Sequence, residues 1–171
     1  MLSRLDLRGA AADLGDVLAH AAADGSALDA VRVIIGDVRE RGDVALRELT
    51  ERFDGCRISD IRVPPEELRA ALDDAPSDFR AALDYARGEI TAYHEAQVGE
   101  GIRVERDGVL LRELVLPVDR AGLYVPGGRA AYPSTVLMTA IPARVAGVPE
   151  LALCVPPDRD GKVPAATLAA A

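Results

Sequence analysis

Tyr124 is the side chain whose type and setting invite a chemical question. It is the penultimate residue of the short apolar run "GLYV", Gly122 to Val125, which is followed at once by "PGG", Pro126 to Gly128, and then by the long apolar run that begins near Ser134. Glycines beside it let another group approach the backbone, and an apolar strand running into a glycine turn and a helix start is a physical recipe for an anion or nucleotide site. The stretch "PGGRAAYPST" is not the GxGxxG pattern of a dinucleotide turn. A tight strand-to-helix turn with no ligand explains the same residues equally well.

Other chemistry-bearing residues are scattered. The two histidines, His20 and His94, lie in helical stretches with no HxxxH spacing and no neighbouring cysteine, so a zinc site would lack ligands and a surface or packing role is expected. Cys154 sits inside apolar "ALCVP" and reads as a small core residue; Cys56 lies in a different context, and the pair forms neither a CxxC knuckle nor a disulfide framework. Asp73-Asp74 and Glu66-Glu67 fall in short charged helices, where solvated faces account for them better than acid/base pairing. Ser134 precedes an apolar helix without a base in reach, so it is expected to be an N-cap and not a nucleophile.

The elements that must position Tyr124 follow from periodicity. Up to about Gly99 the apolar spacing is helical. Ser26 and Asp29 resemble a capping box ahead of Leu28, Val31, Ile34, Ile35 and Val38. Gly42-Asp43 ends that helix and opens a second, which stops at Asp54-Gly55. "VPPEELRAALDDA" reads as a third. A fourth, from Ser77 to about Gln97, carries the stripe Phe79, Leu83, Ala86, Ile90 and Tyr93. After Gly99 the period becomes two, with Asp107-Gly108 as a hairpin signal inside "IRVERDGVLLREL". "LVLPVDRAGLYV" continues in extended fashion. The helix "STVLMTAIPARVAG", the strand "ELALCV" and a helix opening at Pro164 give an order that predicts an α/β domain with a parallel sheet and crossover helices. Residues 1–99 thus form a helical arm, and 100–171 the first part of an α/β domain. Its last helix has no C-terminal cap, as though the chain stopped inside an element.

Size and charge bound the function. A chain of 171 residues with 49% apolar and 28% charged residues can bury a core of its own. Its net charge of −8 and single lysine, Lys162, disfavour nucleic acid and anionic membrane surfaces as partners. No apolar run is long enough to span a bilayer, and the charged N-terminus does not read as a signal peptide, so a cytoplasmic protein with reduced thiols is expected.

The stretch "GLYVPGGRAAYPSTVLMTAIPARVAGVPEL" resembles the histidinol dehydrogenase family very closely, and so, colinearly, do "VRERGDVALRELTERFDG" and "ARGEITAYHEAQ". The resemblance covers nearly the whole chain. It implies a Rossmann-like α/β domain of aldehyde-dehydrogenase-like topology, NAD and zinc as cofactors, and L-histidinol, oxidised in two steps to L-histidine, as substrate. It also implies a homodimer that exchanges parts of its chains, and it makes Tyr124 the NAD-contacting tyrosine. The family's zinc ligands and its catalytic Glu-His pair match no position here, so the resemblance implies a truncated N-terminal portion that is inactive alone and supplies one cofactor wall.

Overall fold

The computed structural model describes residues 25–127 and 130–171. These belong to two compact units, one ending at Ala45 and the other running Leu46–Ala171. The first is represented by helix α1 (Gly25–Arg41) and the start of α2 (Asp43–Asp54). Gly42, with φ +57, separates the helices in a left-handed conformation that glycine adopts without steric cost. Ser26 lies within α1, and Asp29 pairs with Arg32 at 3.0 Å. His20 lies outside the described residues.

In α1 the apolar residues recur at helical spacing, yet Leu28, Val31, Val33 and Ile35 are all exposed, Val33 by 72%. Ile34 and Val38 of the same stripe are half-buried, so the periodicity is that of a packed helix whose stripe is only partly covered.

The second unit carries α3 (Pro65–Asp73), α4 (Ser77–Glu95), α5 (Pro133–Val145) and α6 (Ala165–Ala170) with four short strands. Strands β1 (Arg103–Arg106) and β2 (Val109–Arg112) pair antiparallel around Asp107-Gly108, both at positive φ as a two-residue hairpin turn demands. Every side chain of that hairpin is exposed. Beyond it, Leu114 to Val118, within the stretch that reads as extended, form no strand, and pairing resumes only at Arg120. Pro117 can donate no ladder hydrogen bond, which shortens any strand through this stretch.

Strands β3 (Arg120–Tyr124) and β4 (Glu150–Cys154) pair in parallel with α5 as the crossover, so the strand-helix-strand order produces the predicted parallel arrangement. Arg120 stands opposite Glu150 in register, and its Nε donates to the Glu150 carboxylate at 2.6 Å. Helix α5 packs on β3, on α4 and on α6, and α6 packs on α3. The buried side chains of this stretch are Val125, Val136, Leu137, Val148, Thr167 and Ala169.

Helix α4 follows its expected stripe with one correction. Phe79, Leu83, Ala86 and Ile90 are half-buried, whereas Tyr93 is 65% exposed and His94 takes the inward position instead. The fourth step of the stripe lies at i+4 from Ile90, not i+3, because a helix of 3.6 residues per turn drifts across a fixed seam. Asp78, Arg80, Arg87 and Glu89 are exposed as expected.

Candidate functional site

Alternation along β3 decides which way Tyr124 faces. Ala121 and Leu123 are half-buried, while Arg120, Gly122 and Tyr124 are exposed. Successive side chains of a strand point to opposite faces, so Tyr124 shares a face with Gly122 and lies opposite the side that carries Leu123. It is the last residue of the strand, at the carboxyl end of a parallel pair, with its ring 64% exposed. In open α/β sheets ligands bind outside the carboxyl ends of the strands, and Tyr124 stands at that edge.

Its neighbours hold it there. Cys154 is its register partner on β4, and Val125, fully buried, donates its amide to the Cys154 carbonyl at 3.0 Å, carrying the pairing one residue past the tyrosine. Three residues after Tyr124 the chain passes close to the segment that leaves β4. A Cβ at Gly127 would lie 2.8 Å from the Pro156 carbonyl oxygen. Glycine is therefore required at this point of the turn by space.

The same alternation corrects the reading of Cys154. Leu151 and Leu153 are half-buried and Glu150, Ala152 and Cys154 are exposed, so the thiol falls on the outer register of the strand and not in the core. Cys56 is the buried one.

The start of α5 differs from expectation too. Tyr132 is the residue that flanks the helix, Pro133 occupies its first position and Ser134 is inside, so Ser134 is not the N-cap. No side chain caps this end. Pro133 brings no N–H, and the Thr135 and Val136 amides already donate to the Tyr132 carbonyl. Few free donors remain in that first turn, which makes it a poorer anion cradle than a glycine-rich dinucleotide turn would be.

The other candidate residues lie apart. In the tautomer that carries its proton on Nδ1, His94 donates to Gln97 Oε1 at 2.6 Å, and its ring meets Tyr93 edge-on, with ring centroids 5.3 Å apart. It lines a cavity of about 480 Å³ with Gln97, Glu113, Pro142 and Val145. That cavity adjoins the end of α5, which returns to the amino ends of the strands, so it is not the Tyr124 edge. Glu66 and Glu67 are exposed in the first turn of α3, where carboxylates favour the helix dipole, and Asp73 and Asp74 are exposed at its end. Among the described residues no three His, Cys, Asp or Glu side chains group as metal ligands. No described helix is long and apolar enough to cross a membrane.

Sequence reasoning singled out Tyr124 beside the glycine turn and did not single out Pro156, whose backbone lies against Gly127. The signal was present in "VPP" directly after the second strand, since consecutive prolines end a ladder and stiffen whatever they border.

Comparison with known proteins places this geometry in a family. The family described as histidinol dehydrogenase matches residues 19–171. Histidinol dehydrogenase from Bordetella parapertussis is 47% identical over 100% of this chain and 40% of its own length. The Geobacillus kaustophilus enzyme is 46% identical over 83% of this chain and 34% of its own. Among solved structures, histidinol dehydrogenase from Elizabethkingia anophelis superposes with a TM-score of 0.75 at 31% identity, covering 94% of this chain and 34% of that one. The chain thus spans about a third to two-fifths of the length of these relatives.

Proposed function

Because this chain belongs to the histidinol dehydrogenase family, we propose that the protein serves in the NAD-dependent, two-step oxidation of L-histidinol to L-histidine, within histidine biosynthesis in the cytoplasm. The observation that carries the reading is the 47% identity sustained across the full chain. NAD, when bound, accepts the hydride that the alcohol and aldehyde carbons give up. This chain's share is to form one wall for that cofactor. Tyr124 lays its ring and hydroxyl at the carboxyl edge of the β3–β4 pair, and Gly127 adds no side chain to the adjoining turn.

In the same proposal residues 1–99 act as a helical arm and 100–171 as the first part of a Rossmann-like domain with aldehyde-dehydrogenase-like topology. The parallel β3–α5–β4 unit supports that topology. Zinc does not fit the donors described here: its sites draw on clustered His, Cys and carboxylate groups, and the described residues offer none. Zinc ligands and the acid–base pair are proposed to come from elsewhere in the protein, and this chain alone is expected to be inactive.

A second reading, a dimerising or NAD-holding piece without chemistry of its own, draws support from the open apolar stripe of α1. The full-length protein is accordingly proposed to form a homodimer.

NAD titration of Tyr124→Phe and Tyr124→Ala in the full gene product, alongside thermal melts, tests the cofactor role. Weaker NAD binding with an unchanged melt is expected for both, more so for Ala, because stacking on an aromatic face and one hydrogen bond are each worth about 1 kcal/mol. Unchanged affinity in both variants would make Tyr124 structural.

A further inference from the structure

The two chain segments that leave β3 and β4 are held at one spacing by a contact that admits no side chain. Gly127 follows β3 by three residues and Pro156 follows β4 by two. A Cβ on Gly127 would stand 2.8 Å from the Pro156 carbonyl oxygen, 3.1 Å from its Cβ and 3.4 Å from its Cδ. None of these atoms is the loose end of a flexible side chain. The first belongs to the backbone, and the pyrrolidine rings of Pro156 and Pro157 fix φ at two successive residues. Gly127 is not among the glycines at positive φ, so its backbone would accept any L-residue; the neighbouring segment would not.

Upstream, both segments are already fixed. Val125 is fully buried and its amide is bonded to the Cys154 carbonyl. A displacement at Gly127 therefore cannot be absorbed by sliding β3 against β4. It must open the gap between the Gly127 turn and the Pro156-Pro157 segment, immediately beyond Tyr124.

We propose that Gly127, through its contact with the Pro156 backbone, is a positioning residue that sets the aperture of the NAD crevice beside Tyr124. This rests on the reading of Tyr124 as a cofactor contact. The adverse change is steric, and it acts on cofactor placement through Pro156.

The test uses Gly127→Ala, Pro156→Ala, the double variant and Tyr124→Ala in the full gene product. NAD affinity is measured by calorimetry, the folded fraction by thermal melt, and KM for NAD and kcat by NADH formation. Gly127→Ala is expected to raise the NAD dissociation constant and KM on the order of tenfold, as the loss of one good contact does, with kcat at saturating NAD retained. The double variant is expected to recover part of that loss, because alanine at 156 lets the carbonyl turn away. Wild-type affinity in Gly127→Ala, or a loss that the double variant does not lessen, would overturn the proposal. If Gly127→Ala does not fold, the double variant decides: it should bind NAD more weakly than Pro156→Ala alone, and equal affinity would overturn the proposal. Loss of affinity in Tyr124→Ala without any in the Gly127 variants removes this inference alone, whereas unchanged affinity in Tyr124→Ala removes the cofactor reading beneath it.

Discussion

Helix α1 and the β3–α5–β4–α6 stretch are both apolar at regular spacing, but only the second fully buries any of its apolar residues, while Ile34 and Val38 of α1 are half-buried. From Val125 to Ala169 the chain buries Val125, Val136, Leu137, Val148, Thr167 and Ala169, and outside that stretch only Ala45 and Cys56 are buried among the described residues. In α1, Leu28, Val31, Val33 and Ile35 face solvent. The hydrophobic gain is proportional to area removed from water, so the first stretch is stabilised by its own contacts while α1 has yet to collect that gain. The contrast separates a self-closing unit from an element whose stripe is half open.

Leu137→Ala should reveal the difference most strongly. Leu137 is 7% exposed at the centre of the parallel unit, and its truncation is expected to cost about 2–5 kcal/mol by urea unfolding of the 171-residue chain. A loss below about 0.5 kcal/mol, the size typical of surface sites, would mean that the unit does not support itself.

Leu83→Ala in α4 sharpens the comparison from an intermediate position. The sequence pattern alone suggests a fully packed stripe and the same 2–5 kcal/mol. Leu83 is only half-buried, so about 1–2 kcal/mol is expected by the same measurement, since a partly exposed side chain has less transfer energy to lose. A cost equal to that of Leu137→Ala would show that α4 is covered in solution.

Val33→Ala probes the open end of the scale. With 72% of Val33 exposed, stability should stay within about 0.5 kcal/mol, helped by the better helix propensity of alanine. A loss above about 1 kcal/mol, together with a concentration-dependent mass in sedimentation, would show that another copy covers this face and would break the contrast.

The smallest effect concerns acid. The hydrogen bond from Arg41, at 2.6 Å, and the positive charge of that guanidinium hold the Asp37 carboxyl below its ordinary 3.8, with slight burial opposing them. A carboxyl depressed in the folded state stabilises above its unfolded value, and that stabilisation is lost as pH falls through the folded one. The helicity of α1 should therefore be level at neutral pH and decline only below about pH 4, more weakly in high salt. Asp37→Asn should remove that component of the decline. An identical acid profile in the variant would show that the pair contributes nothing measurable.

Much of this architecture is decided locally. Gly42, Gly55 and Gly108 sit where the chain must take positive φ, and no other residue does so at comparable cost; helix ends and the hairpin turn were legible for that reason. Strand–helix–strand order forced a parallel pair, because two parallel strands need a crossover between them. Tyr124 could be placed at a strand end from the apolar run that stops beside it. Resolving what the sequence left open took the packed structure. Periodicity marks a face and does not say what meets it, so α1 and α5 both read as packed helices while only α5 has fully buried side chains. Cys154 and Tyr93 looked inward because they stand in apolar surroundings, yet a shift of one residue in a strand, or one step in a helical stripe, reverses the side a side chain faces. The close approach of Gly127 to Pro156 joins residues from two different strand ends. Such a contact exists only after β3 and β4 have paired, and no local pattern in either segment specifies it.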